Sequence, residues 1–295
     1  MEAQGSRLDS YAASKRDVFV LPSRKQRTLE VQEVLYAEAL ALRKKSFTYS
    51  GIIAEIELLH GVRLSKSTIS DWINHKHTPA GRAHVFSPKR RPELAYIIGV
   101  ETGDASLNFK RYNYRIRLKS IDKDFVQEFD LCLSSVLNTA RHRLWKGSCG
   151  NEFHLEVSSY ALYRFLRRPL RDLMPWIESD LKCVSAFLRG FFDSEGSVGK
   201  DGPVTASNTN LDLLRYVQGL LERLGIATTG PRLGKRKGTL LVRRGRTYVR
   251  NADCYSIYVR KAGLETFQRY VGFTIRRKGR RLEHALVDVE NNRAV

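Results

Sequence analysis

The sequence predicts an α+β protein: a small all-α unit, then two copies of a helix–strands–helix–strands–helix plan. Three observations predict it. Apolar residues recur at helical intervals from about 28 to 74, and two stretches rich in chain breakers close that region. A pattern at 94–106, LAYIIGVETGDAS, returns at 185–197 as SAFLRGFFDSEGS. Between the copies, 110–119 alternates apolar and polar side chains in the manner of a strand.

Residues 1–27 form a mixed, polar extension without a period, and 28–80 read as the all-α unit. Leu29, Val31, Val34, Leu35, Ala39, Leu40 and Leu42 predict its first helix. In the second, Ile52, Ile53 and Ile56 form the apolar stripe, and Thr48 or Ser50 is placed to cap it. His60-Gly61-Val62 supplies a turn in which Gly61 suits a left-handed conformation. A third helix follows over 65–74, with Ile69, Trp72 and Ile73 on one face and Ser65, Lys66, Ser67, Thr68 and Ser70 left over. The arrangement resembles the helix-turn-helix of small regulators and transposase-like proteins. That resemblance implies DNA contacts from Lys66, Ser67 and Thr68 at the start of the third helix; a plain three-helix bundle shares the same apolar pattern. A linker spans 81–92, where 87–92 reads SPKRRP.

The duplicated units are expected over 93–180 and 181–289, with a tail at 290–295. Gly99 and Gly190 are 91 residues apart, and so are Asp104 and Glu195. Each apolar helix carries small residues four apart, Gly99 with Gly103 and Gly190 with Ser194, a spacing that lets two helix backbones approach closely. Helices packed face to face through those positions bring Asp104 and Glu195 together. Paired carboxylates repel unless cations lie between them, and hard oxygen donors suit Mg²⁺. Two such ions about 4 Å apart are suited to phosphodiester hydrolysis. The repeats continue alike: 119–125 matches 207–213, each leading into an amphipathic helix, 125–137 and 213–224.

These paired motifs resemble those of the LAGLIDADG family of homing endonucleases over roughly 92–289. The resemblance implies tandem αββαββα repeats with pseudo-twofold symmetry, each presenting a four-stranded antiparallel sheet to the DNA major groove. It implies metal binding by Asp104 and Glu195, with Ala105 and Gly196 beside them, two or three divalent ions in all. It also implies a catalytic role for Lys119, at the end of its strand. The first motif departs from the family pattern at Thr102 and at Ala105, where Gly is usual.

In 110–119, Tyr112, Tyr114, Ile116 and Leu118 face one way, while Arg111, Asn113, Arg115, Arg117 and Lys119 face the other. Arg and Asn match the edges of guanine and adenine. The second repeat offers Lys235, Arg236, Lys237, Arg243, Arg244, Arg246 and Arg250, with no acid between Arg232 and Arg250, and reads as a long basic hairpin. Arg277 and Lys278 are further basic candidates, as phosphate contacts or beside the acids.

Charge supports the same partner. Against 31 Asp and Glu stand 51 Lys and Arg, a formal net charge of +20 that attracts polyanions. Cysteines at 132, 149, 183 and 254 lack the C-x-x-C spacing of a zinc or redox site. No apolar run approaches the ~20 residues of a membrane span, and the first residues lack a secretory signal's apolar centre. The leading expectation is a monomeric, cytoplasmic, nucleoid-associated endonuclease that cuts both strands of double-stranded DNA with Mg²⁺. A non-cleaving DNA-binding regulator and an RNA maturase acting on intron RNA are the alternatives. Protein splicing is not expected, since the terminal residues lack its nucleophiles.

Overall fold

The computed structural model describes residues 29–76, 78–79, 86–110, 113–147, 150–199, 203–243 and 245–291. The chain divides into two compact units, 1–83 and 84–295.

The first unit holds three helices, α1 (Leu29–Lys44), α2 (Tyr49–His60) and α3 (Lys66–Ile73). The Thr48 hydroxyl accepts from Gly51 N at 3.1 Å to cap α2, and Gly61 ends that helix at φ 63°. Ser65 caps α3, accepting from Thr68 N at 3.1 Å. Leu35, Ala39 and Leu42 of α1, Ile52 and Ile56 of α2, and Ile69 and Trp72 of α3 close one small core with Val62. Each helix contributes most of the stripe that its periodicity marks, with Val34 of α1 exposed instead.

The second unit contains two repeats of one topology. The first runs α4 (Pro92–Glu101), β1 (Ser106–Lys110), β2 (Asn113–Ser120), α5 (Lys123–Leu137), β3 (Trp145–Lys146), β4 (Phe153–Ser158), α6 (Tyr160–Leu166) and α7 (Leu170–Ile177). The second runs α8 (Leu181–Glu195), β5 (Gly196–Val198), β6 (Val204–Asn208), α9 (Leu211–Arg223), β7 (Thr228–Lys235), β8 (Leu240–Arg243), β9 (Arg246–Val249), β10 (Cys254–Val259), α10 (Leu264–Tyr270) and α11 (Arg276–Asn291). Their sheets are antiparallel, in the orders β1-β2-β4-β3 and β5-β6-β10-β7, so the third and fourth strands exchange places in both; β8 and β9 form a separate two-stranded sheet.

Alternation decides which face of each sheet meets the helices. Ile116 and Leu118 of β2 and Leu155 and Val157 of β4 are buried under α5, and Val204, Ala206, Ile257 and Val259 of the second sheet are buried under α9. One expectation is corrected here. Residues 110–119 are not a single strand: Lys110 ends β1 and pairs with Asn113 at the start of β2. A period of two carries no mark of where a chain reverses, so the pattern runs on across two elements. Arg111 and Tyr112 lie outside the described residues.

Candidate functional site

Helices α4 and α8 form the centre of the second unit. Every residue from Leu94 to Val100 is buried, and α8 buries Phe187, Leu188, Phe191 and Phe192. Helices apolar on all sides belong in the interior, enclosed by other elements. Pro92 opens α4, and the Asp180 carboxylate caps α8 by accepting from Cys183 N at 2.7 Å. Their contact is backbone against backbone. A methyl group at Gly99 would press on the Phe187 carbonyl and stand 2.9 Å from Phe191 N; one at Gly190 would press on the Tyr96 carbonyl and stand 3.1 Å from Val100 N. At the C-terminal ends the approach continues, with the Gly103 Cα hydrogen side 3.2 Å from Glu195 Cγ for an added Cβ. Asp104 lies in the turn after α4, and Glu195 is the last residue of α8. The acids converge because the glycines let the two helices run in backbone contact up to the residues that carry them.

Electrostatics follow from that convergence. Burial pushes the Glu195 carboxyl up to about 7, and the charge of Asp104 adds to the rise, while the Asn208 amide, donating to Glu195 Oε1 at 3.2 Å, opposes it. Asp104 is open to solvent on one side, yet the protein behind it raises its pKa too; the Lys278 charge acts the other way. Lys278 comes from α11 and is only 6% exposed. Its ammonium donates to the carbonyls of Phe192, at 3.1 Å, and Asp193, at 2.6 Å, filling acceptors that the end of α8 leaves open. Burial lowers its pKa to about 8 against the attraction of Asp193 and Asp104. Asp193, 1% exposed, holds α11 in place by accepting from Thr274 N at 3.0 Å and from the Tyr96 hydroxyl at 3.0 Å.

Comparison with known proteins agrees with this architecture. A family model described as a LAGLIDADG-like domain matches residues 182–272. The uncharacterized protein MJ0398 of Methanocaldococcus jannaschii is 35% identical over 256 residues, 85% of this chain and 93% of the relative. This chain belongs to the LAGLIDADG homing-endonuclease family. The homing endonuclease I-ApeI of Aeropyrum pernix is 24% identical over 65% of this chain and 86% of its own length. A crystal structure of I-DmoI in complex with DNA and Mn has a TM-score of 0.46 at 20% identity, covering 61% of this chain and 96% of that one.

On the LAGLIDADG scaffold, Asp104, Ala105, Glu195 and Gly196 come together at the ends of the central helices. Gly196 is buried, and any side chain there would collide with Phe192, whose Cδ1 stands 2.9 Å from an added Cβ. Lys119 faces the way the alternation of its strand predicts. It is exposed on the outer face of β2, in register with His154, and the lysine whose charge reaches both acids is Lys278. The same alternation that buries Leu118 turns Lys119 outward with Arg115 and Arg117. Lys278, named with Arg277 as a basic candidate beside the acids or on phosphate, is interior. Its neighbour Arg277 makes a two-pronged bond to Asp122, at 2.6 and 2.7 Å, joining the end of one repeat to the start of a helix in the other.

Other basic positions lie on the sheet's outer face. Arg115 pairs with Glu156 at 3.0 Å, and Arg117 meets His154 Nδ1 at 3.1 Å. Asn113 occupies the first position of β2. Lys235, Arg236 and Lys237 are exposed at the end of β7, Arg250 is half-buried, and Arg243 pairs with Arg246 across the β8–β9 turn. Arg111 and Arg244 lie outside the described residues. In α3, Lys66 and Ser67 are exposed and Thr68 half-buried, with the Ser65 hydroxyl 2.9 Å from that of Ser67 and 2.8 Å from that of Thr68. Sequence reasoning missed Asn208 as a partner of Glu195. It also missed the one signal for Lys278, which sits on the buried stripe Lys278, Leu282, Ala285 of α11, in line with Ile275 just before it. Among the described residues, no helix is long and apolar enough to cross a membrane.

Proposed function

We propose that this chain is a site-specific endonuclease that makes a metal-dependent double-strand break in a long, asymmetric DNA target. The carrying observation is the meeting of Asp104 and Glu195, distant in sequence, at the tips of two helices in backbone contact. Asp104 and Glu195, with the backbone oxygens of Ala105 and Gly196, are hard donors suited to Mg²⁺. Among the described residues no cluster of three or more His, Cys, Asp or Glu encloses a metal cage. A site of two carboxylates leaves coordination positions to water and phosphate, the manner in which Mg²⁺ is usually held. Two or three divalent ions bound there would supply Lewis acidity to a phosphodiester and its attacking water.

The protein's own groups have separate tasks. Asn208 orients the Glu195 carboxylate. Lys278 fixes the last turn of α8 and sets a positive charge behind both acids, where negative charge builds during phosphodiester cleavage. Arg115, Arg117, Lys119, Lys235, Arg236 and Lys237 supply phosphate and base contacts, joined by Asn113, Arg243, Arg246 and Arg250. The N-terminal helices add a second DNA contact through Lys66, Ser67 and Thr68. Because one chain carries both acids, a monomer suffices, and unequal repeats suit an unequal target.

The test uses a supercoiled plasmid library of host genomic fragments with the full chain and Mg²⁺. Linear product that disappears with a chelator is expected. Asp104→Asn and Glu195→Gln should bind the recovered target and leave it uncut. Recovered plasmids that are bound yet stay intact in both Mg²⁺ and Mn²⁺ would overturn the proposal.

A further inference from the structure

Residues 86–91 lie against the helical layer of the first repeat. Phe86 meets Phe165 edge-on, with ring centroids 5.4 Å apart, and Phe165 meets Trp176 at 4.9 Å. The Trp176 indole N–H donates to Pro88 O at 2.6 Å, and Arg91 donates to Ser135 O at 2.7 Å. Between these anchors Lys89 and Arg90 are exposed. Arg164, Arg167 and Arg168 follow one another at helical spacing and share one exposed face. Arg164 lies over the Tyr160 ring at 6.0 Å, and Arg168 over Phe165 at 5.2 Å and Trp176 at 5.9 Å. Arg168 and Pro88 thus meet the same indole, so the two sets of cations adjoin. Aromatic faces hold the flat guanidinium groups ready for a partner.

Charge and place identify the partner. From Val157 to Arg171 the sequence has no acid. The charge of Arg167 reaches Glu101, and Asp172 is taken up by Arg171 at 3.4 Å. The patch is not on the sheet: Tyr160 of α6 packs on the face of β2 that carries Tyr114, whereas Arg115, Arg117 and Lys119 point from the opposite face. A stiff B-form duplex held against that outer face does not also reach the helical layer. An acidic protein segment would match the charge alone. The half-buried rings of Tyr160, Tyr163 and Trp176 among the cations add surfaces on which unpaired bases stack. RNA loops present unpaired bases, whereas duplex DNA must first be melted. We propose that this patch binds single-stranded segments of an RNA while the sheets remain open to DNA. The inference goes beyond the nuclease reading and does not depend on cleavage.

The probe is a fluorescent single-stranded RNA of random sequence, added to the full chain alone and to the chain saturated with its recovered target duplex in Ca²⁺. Both are expected to bind it, the second as a complex of protein, DNA and RNA. Lys89→Gln/Arg90→Gln/Arg164→Gln leaves Arg168 and the aromatic stack in place, so its melting temperature should match the wild type. Losing three phosphate contacts, at about 0.7 each in the salt slope, predicts roughly 50-fold weaker RNA binding at about 0.15 M salt. Lys89→Gln/Arg90→Gln touches no ring contact and should lose roughly 15-fold by the same rule. Duplex binding and cutting should stay unchanged in both variants. RNA displaced by the duplex, or RNA affinity unchanged in the variants, overturns the inference and leaves the nuclease reading intact. Weaker duplex binding at unchanged RNA affinity overturns it as well and assigns the patch to flanking DNA. Single-stranded DNA of the same sequence binding the patch more tightly than the RNA overturns the choice of RNA. If no duplex is recovered, the nuclease reading fails, and the RNA affinity of the variants still decides the inference.

Discussion

Gly99→Ala is the most direct test of the central helix pair. The new methyl would press on the Phe187 carbonyl and lie 2.9 Å from Phe191 N, both backbone atoms that cannot rotate away. Ordinary carbon contacts need about 3.5–4.0 Å, so relief requires α4 and α8 to part by on the order of 1 Å. Overpacking of this kind costs about 1–3 kcal/mol, and rigid backbone on both sides points to the upper end. Replacing a helical Gly by Ala returns about 1 kcal/mol of helix propensity, leaving a net loss near 2 kcal/mol. For a unit of this size that corresponds to a fall of about 4–8 °C in Tm. Gly219→Ala is the matched control: Gly219 lies within α9, and a Cβ there meets nothing within 4 Å. The control should gain about 0.5–1 kcal/mol from the same backbone effect. Calorimetry on both variants separates seam from propensity. A Gly99→Ala protein melting at or above the wild type would refute the close approach, and with it the reason that the acids meet.

Other expectations address the surrounding groups. Asn208→Ala removes a bond that favours charged Glu195, so its pKa should climb further above about 7 and protons should compete more strongly with Ca²⁺; calorimetric titration should show a larger loss of Ca²⁺ affinity at pH 7 than at pH 8.5, and an equal loss at both would contradict it. Lys278→Met should leave the salt dependence of DNA binding unchanged because its ammonium is internal, whereas Lys235→Ala should lower the slope by about one phosphate contact; binding curves across a salt series decide between these. Burial alone would raise the Asp130 carboxyl, but bonds from Arg141 and His142 outweigh it and hold the pKa below the usual carboxylate range. Its stabilising contribution is therefore full above that range and lost as pH falls through the depressed value. Asp130→Asn should cost about 3 kcal/mol in urea unfolding at neutral pH, with the gap closing in acid; a gap constant down to pH 2 would count against the network.

The duplication was readable because helix contact requires small residues at fixed intervals, and Gly99, Gly190, Asp104 and Glu195 keep one offset. Side chains in the joint are dictated by backbone proximity, which leaves few choices and a clear trace. The caps of α2 were readable for a similar reason, as Thr48 and Gly61 act within one turn of their own position. Lys278 and Asn208 act across longer distances. Lys278 lies in a run rich in Lys and Arg, where its place in line with Ile275, Leu282 and Ala285 is a weak mark beside the return of α11 to α8. The chain reversal between Lys110 and Asn113 left no trace either, since no Gly or Pro marks it. Arg277 resembled a phosphate ligand for want of its partner, Asp122, 155 residues earlier.

The glycine-to-carbonyl joint has a bearing on what either half would do alone. Cutting the chain between α7 and α8 would bare a ridge shaped to receive a near-copy of itself. An isologous pairing of two such fragments would use the same groove twice. Half-molecules made by truncation should therefore be sought as homodimers, with two identical acids where the intact polypeptide has one Asp and one Glu.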